Sequence, residues 1–340
     1  MTKLAETPTA AVSPTPGRTE PGQASPGARI LLWSAERGIV LFTVLLVLTS
    51  VVFVDGFASW VNITDVFHRA APIGIVAVGM TFVVISGNYL DLSVVAQVAT
   101  GAVILIGVSN THGIPLAILA ALVVACLYGL VNGVAVGYFK ANAVIVTLST
   151  TYIGLGLLRW LSGGSIYFGP KNGAIESFGD IKVGPVPISA IVLIVMAIGL
   201  GFVLSRTNFG FLVRAFGANN ESTRLSGVNT PHVVLGAFLI TAFAAMVAGF
   251  VLAAFSNTAV SSMSDGYDFR ALAAIILGGT SVFGGRGSVL RTVLGVVFVS
   301  VLTNVLVLSS VGYGWQQVAI GSLIVLAVSV DALARRMSKK

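Results

Sequence analysis

Long, nearly unbroken apolar runs separated by short polar segments dominate the chain. Within each run the apolar residues fill every face, without the alternation of a half-exposed strand or the single stripe of a surface helix. A run of about twenty residues, at 1.5 Å rise per residue, matches a hydrocarbon core about 30 Å thick. Spans are predicted over 38–54, 72–86, 92–108, 114–138, 143–161, 187–204, 232–255, 289–308 and 315–330, with a shorter apolar piece over 271–277. Pro72 suits the first turn of the second span, where its missing N–H costs nothing. The piece over 271–277 is too short to cross alone. It runs into Gly278-Gly279-Thr280-Ser281-Val282-Phe283-Gly284-Gly285-Arg286-Gly287-Ser288, a glycine-rich break between two apolar stretches. Irregular backbone near membrane depth persists only where protein covers it or a water-filled cavity adjoins it.

The pattern predicts an all-α integral membrane protein with about ten transmembrane helices; a β-barrel needs short segments of alternating polarity. Residues 1–30 are rich in Pro, Thr, Ala and Gly and read as a disordered cytoplasmic tail, because they cannot bury enough surface to offset ordering entropy. Residues 31–340 read as a single transmembrane domain with a cytoplasmic loop over 205–230. With both termini cytoplasmic and an even number of spans, most Lys and Arg fall inside, including Arg206, Arg214, Arg224, Arg286 and the C-terminal Arg335, Arg336, Lys339 and Lys340.

Composition agrees: 56% of residues are hydrophobic and 9% charged, a balance that soluble domains do not show. The net charge of +7 comes from basic residues scattered at span ends, which excludes a nucleic-acid-binding module and assigns them to topology. Cys126 is the sole cysteine and reads as a buried packing thiol. His68, His112 and His232 lie far apart and read as interfacial or hydrogen-bonded side chains. No segment matches the phosphate-cradling G-x-x-x-x-G-K-[ST] pattern, so hydrolysis of ATP would have to come from another chain, and no cofactor is expected. Asp91 and Asp268 are the pair a membrane protease would have to use, a weak reading. Ion-coupled carriers place ionisable groups within spans; here the span centres carry Ser, Thr and Asn, which favours a neutral polar cargo and an external energy source.

Four segments are candidates for function. The first holds Asn88, Asp91 and Ser93, where Asp91 could cap the third span. In the second, Asn142 and Thr147, with Ser149, Thr150 and Thr151, put hydroxyls at the start of the fifth span; these could line a path for sugars or bridge helices. The third is 209–228: Asn219 or Asn220 can cap a short helix, Glu221 suits its first turn, Arg224, Leu225 and Ser226 follow, and Gly227 suits its stop. Such a helix on the cytoplasmic side is a docking device for a soluble partner. In the fourth, Gly278, Gly279, Thr280 and Ser281 read as a broken-helix element at the inner end of a path. There 284–288 forms the tight turn and Arg286 fixes orientation.

Residues 274–295, 217–228, and 79–87 with Asp91-Leu92-Ser93 together carry a resemblance, running over about 72–331, to the membrane subunit of ribose-type ATP-binding-cassette importers, which serve monosaccharides and autoinducer-2. The resemblance implies a type II importer fold, a second permease subunit in a homo- or heterodimer, cytoplasmic ATPase subunits and an extracytoplasmic sugar-binding protein. It also implies that 219–227 is the coupling helix seated on the ATPase, and that the chain lies in a bacterial inner membrane. Two departures bear on cargo. Gly87-Asn88-Tyr89-Leu90-Asp91-Leu92-Ser93 is one residue longer than the family's Gly-Gly-Ile-Asp-Leu-Ser, and Asn142-Ala143-Val144 replaces Asn-Pro-Phe. The expected function is passage of a monosaccharide or similar polyhydroxylated solute; the alternative is a stand-alone ten-helix secondary transporter.

Overall fold

A computed structural model describes the backbone of residues 26–87 and 90–338 and the side chains of 38–87 and 90–329. Its frame is helical: α1 (Pro26–Phe53), α2 (Trp60–Ile85), α3 (Val94–Val103) prolonged by a π-helical turn (Ile104–Val108) and α4 (Ser109–His112), then α5 (Ile114–Gly137) and α6 (Ala143–Ser162). The segment 163–187 carries β1 (Tyr167–Phe168), α7 (Ala174–Gly179), β2 (Lys182–Val183) and β3 (Val186–Pro187). Then come α8 (Ile188–Arg206), α9 (Asn208–Ala218), α10 (Asn220–Leu225), α11 (Thr230–Ser256), β4 (Thr258–Ala259), α12 (Tyr267–Leu277), α13 (Val289–Leu308) and α14 (Tyr313–Ser338). Among the described residues, seven helices are long and apolar enough to cross a membrane, and shorter apolar helices cover Gly38–Phe53 and Tyr313–Ser329.

The long helices α2 and α11 cross at the centre. Of the apolar window of α2, 94% is buried, enclosed by α8, α11, α12 and α13. A Cβ on Gly79 would stand 3.3 Å from the Cα of Thr241, so this helix pair closes only because side-chain bulk is absent there. The Thr241 hydroxyl donates to the Gly79 carbonyl at 3.1 Å across the same contact. By contrast, α6 buries 11% of its window and turns Ile145, Tyr152, Ile153 and Trp160 outward.

Three expectations change. Pro72 lies well inside α2, whose first turns hold Asp65 and Arg69 in an i,i+4 ion pair at 2.6 Å. One lost N–H bond is tolerated because packing on all sides holds the helix. Cys126 is exposed: α5 buries a stripe of Ala117, Ala121, Ala125 and Gly129, and the residue after Ala125 points away from it. α1 begins at Pro26, within the stretch assigned to the tail, while residues 1–25 lie outside the described part.

The segment between α6 and α8 is ordered. β1 pairs antiparallel with β4, and β2 with β3. Glycine N–H of residue 169 donates to the Asn257 carbonyl at 3.0 Å, and the Asn110 amide donates to the Phe168 carbonyl at 2.9 Å. This end of the bundle is therefore laced by backbone bonds, and α2 is pinned to α13 by reciprocal amide bonds between Asn62 and Asn304 at 3.1 and 2.7 Å.

Candidate functional site

Two non-helical segments interrupt the core, one after α2 and one after α12. Along 86–93 the chain leaves helical geometry at Gly87, whose φ of +130° disfavours any side chain. Asn88 lies outside the described residues. The Thr147 hydroxyl reaches the Leu90 carbonyl at 3.3 Å, and that of Thr151 reaches the Leu92 carbonyl at 3.0 Å. α6 therefore holds this non-helical segment by its hydroxyls, satisfying carbonyls that lipid could not.

Asp91 and Ser93 are fully buried. Asp91 Oδ1 accepts the Ser93 N–H at 3.0 Å and also the Ser93 hydroxyl proton. Asp91 does not cap α3: Ser93 holds the N-cap position, without a side-chain capping bond, and Asp91 closes a turn onto Ser93 just ahead of the helix. The same Ser93 oxygen accepts from Gln97 Nε2 at 2.6 Å and Asn132 Nδ2 at 2.8 Å, while Asn132 Oδ1 accepts from Thr150 Oγ1 at 3.0 Å. Serine has one proton and two lone pairs, so its hydrogen bonding is complete. Among the described residues Asp91 Oδ2 and Gln97 Oε1 are buried without a partner. Gln97 and Asn132 were not among the sequence candidates. An isolated amide in an apolar span is the signal that could have found them.

The second segment begins where Gly279, with φ +81°, stops α12. Gly279 N–H reaches the Ile276 carbonyl at 2.8 Å and Thr280 N–H the Ile275 carbonyl at 3.1 Å, so the last helical carbonyls are satisfied. Ser281 N–H then donates to the Arg286 carbonyl at 2.9 Å and Gly284 N–H to the Ser281 carbonyl at 3.1 Å, closing the turn over 281–286. Gly278 packs on the α13 backbone at Arg291, and Thr280 and Ser281 are buried. Below them Thr81 donates to the Ala77 carbonyl at 2.7 Å, which leaves Thr292 as donor in the 2.9 Å Thr81–Thr292 contact joining α2 to α13.

The described cavities lie elsewhere. A groove of about 700 Å³ runs between α3, α5 and α6, lined by aliphatic side chains with Thr100, Tyr128 and Thr150 among them. Asp91, Ser93, Thr147, Thr280 and Ser281 are buried and line none of the described cavities; they hold the two segments. Asn142 is exposed and caps α6, accepting from Val144 and Ile145 N–H at 2.9 and 3.2 Å.

The third component is the loop between α8 and α11. Asn219 Oδ1 accepts Ser222 N–H at 2.9 Å to start α10, and Gly227, with φ +81°, ends it. Asn220 opens the helix, and Ser226 donates to the Ser222 carbonyl at 2.9 Å. Arg224 and Glu221 pair at 2.7 Å on the exposed side, and the guanidinium holds the Glu221 carboxyl below its usual range. Leu225, 75% exposed, projects beside them. An apolar tip next to a charge pair on a short capped helix has the make-up of a protein contact.

The comparisons with known proteins fit this architecture. Residues 62–328 match the family described as "Branched-chain amino acid transport system / permease component". The ribose import permease protein RbsC of Haemophilus influenzae is 32% identical over 87% of this chain and 92% of its own length. The L-arabinose transport system permease protein AraH of Escherichia coli is 29% identical over 91% of this chain and 93% of its own. The autoinducer 2 import system permease protein LsrC of Salmonella typhi is 32% identical over 81% and 78%. No solved structure matches. With a family pattern that spans nearly all the described core, and relatives matched over most of both chains, the protein belongs to this family of transport-system permease components and is a multi-pass membrane protein.

Proposed function

We propose that this permease component serves an ATP-binding-cassette importer that carries a monosaccharide or similar polyhydroxylated solute across a bacterial inner membrane. A cytoplasmic ATPase seats on α10, an extracytoplasmic binding protein delivers the solute, and a second permease subunit completes the path. The observation that carries the reading is α10 itself: a short helix, capped by Asn219 and stopped by Gly227, presenting Leu225, Glu221 and Arg224 to solvent. The cargo assignment rests on relatives named for ribose, L-arabinose and autoinducer 2. The path passes the two non-helical segments, with Asp91, Ser93, Thr147 and the run from Gly278 to Ser281 shaping its wall and Asn142 at its inner mouth.

Uptake of labelled ribose and L-arabinose is measured in cells expressing the permease with its neighbouring ATPase and binding-protein genes. Leu225→Glu should abolish capture of the ATPase by tagged permease and stop uptake, while the permease still reaches the membrane. Undiminished uptake in that variant removes α10 as the docking element. Uptake that needs no ATPase and collapses with a protonophore at constant ATP replaces the importer reading with a secondary transporter.

A further inference from the structure

Three backbone strands meet beneath the core with almost no side chains between them. Ile85–Gly87 at the end of α2, Phe216–Ala218 at the end of α9, and Gly284–Gly285 in the turn after α12 form one junction. Gly285 N–H donates to the Ile85 carbonyl at 2.9 Å. A Cβ on Gly217 would stand 2.6 Å from the Gly285 nitrogen and closer still to the Ile85 carbonyl oxygen. One on Gly284 would meet Gly87 Cα at 2.8 Å and the Gly217 carbonyl oxygen at 2.9 Å, and one on Gly285 would meet Ala218 Cα at 2.8 Å. Gly87, Gly284 and Gly285 all have positive φ, so both the turn and the close approach require glycine.

The junction sits where three functional parts converge. Ala218 is followed by Asn219, the cap of the exposed helix α10. Gly87 opens the segment that ends in the buried Asp91–Ser93 cluster, and Gly284–Gly285 closes the segment that begins at Gly279. Phe216, 2% exposed, sits in the same apolar cluster as Phe82 and Ile85, so α9 cannot shift without carrying the end of α2. Side-chain contacts absorb displacement by rotamer change, whereas backbone against backbone leaves nothing compliant between the parts.

We propose that Gly87, Gly217, Gly284 and Gly285 form a rigid joint that passes displacement of α10 to both non-helical segments of the membrane core. This rests on the proposed docking of an ATPase at α10. The joint acts by positioning: it touches neither nucleotide nor solute, and its role is to keep hydrolysis and passage in step.

The test uses the reconstituted complex of permease, ATPase and binding protein in liposomes, with ribose and L-arabinose as solutes and ATP hydrolysis read in parallel. Gly217→Ala forces the strands apart; solute imported per ATP should fall about tenfold or more, the scale of one lost backbone contact. Assembly with the ATPase and the hydrolysis rate should stay within about twofold of the parent. The opposite perturbation places Ala218→Cys and Gly285→Cys in a Cys126→Ser background. The Cβ positions would be 3.1 Å apart, closer than a disulfide needs, and Gly285 has positive φ, so the pair is itself strained and the oxidised form is read only against the reduced form that carries the same strain. A rigid joint predicts that the oxidised form imports as well as its own reduced form, an outcome readable even where Gly217→Ala does not assemble. Loss of import on oxidation, recovered with reductant, overturns the proposal by showing that the strands must slide. An unchanged import-to-hydrolysis ratio in an assembled Gly217→Ala complex also overturns it. Failure of the parent complex to import in an ATP-dependent way would instead sink the importer reading on which the joint rests.

Discussion

Replacing Asp91 separates the two things a buried carboxylate contributes, its shape and its charge. Asp91→Ala removes the acceptor of both the Ser93 N–H and the Ser93 hydroxyl. The N–H has no alternative partner in the turn, while the hydroxyl can rotate. With one buried N–H left unpaired, the expected loss is about 1–3 kcal/mol relative to the asparagine variant, which removes the same charge. Asp91→Asn keeps an Oδ1 for both donors and puts an N–H at the site of Oδ2, which has no partner among the described residues. It also removes an acid that takes part in neither ion pair of the described residues, and an uncompensated buried charge costs several kcal/mol. The asparagine variant should therefore unfold at or above the parent temperature, and the alanine variant several degrees below the asparagine one. The assay is thermal unfolding in nanodiscs, followed by tryptophan fluorescence. Equal destabilisation by the two substitutions would refute the reasoning, because it would mean that the negative charge itself is held by something the hydrogen-bond arrangement does not include.

Three further outcomes follow from the packing. Thr81→Val and Thr292→Val, alone and together, should show a coupling of about 0.5–1.5 kcal/mol in a double-mutant cycle, since each is the other's partner between α2 and α13; additivity would argue against the bond. Gly295→Val drives a side chain into the Ala274 carbonyl and should part α12 from α13, seen as loss of folded protein in detergent; wild-type yield and melting would contradict that contact. Cys126→Ser should leave melting within about 0.5 kcal/mol of the parent, and a larger loss would place the thiol in a packed interface.

The long apolar helices were legible because lipid imposes one rule on every residue of a span. The predicted 114–138, 143–161 and 289–308 lie within a residue or two of α5, α6 and α13. The rule fails where protein, not lipid, surrounds a helix. α2 tolerates His68 and Pro72 because its neighbours supply what hydrocarbon cannot, including the Ser189 hydroxyl 3.0 Å from His68 Nδ1, while Asp65 and Arg69 pair with each other on its open side. Turn chemistry was also local enough to read: Asn219 caps, Gly227 stops, and the glycines after Leu277 turn. What the sequence could not convey is which distant segment each polar group meets. Asn142 and Thr147 were grouped as one hydroxyl-rich stretch, yet one caps its own helix on the surface while the other holds Leu90 inside. Nothing in 216–218 announces that its backbone lies against Ile85 and Gly285.

The reciprocal amide pair of Asn62 and Asn304 bears on the order in which this protein is made. The partners are 242 residues apart, and Thr81 waits for Thr292 over 211. Nearly the whole chain must leave the ribosome before α2 acquires the companions that enclose it. Until α13 arrives, the Asn62 amide keeps only its local bond to the Phe57 carbonyl, at 2.9 Å, and the Thr81 hydroxyl only its bond within its own helix. A nascent chain stopped before residue 289 therefore inserts α2 without the two polar contacts that tie it to α13.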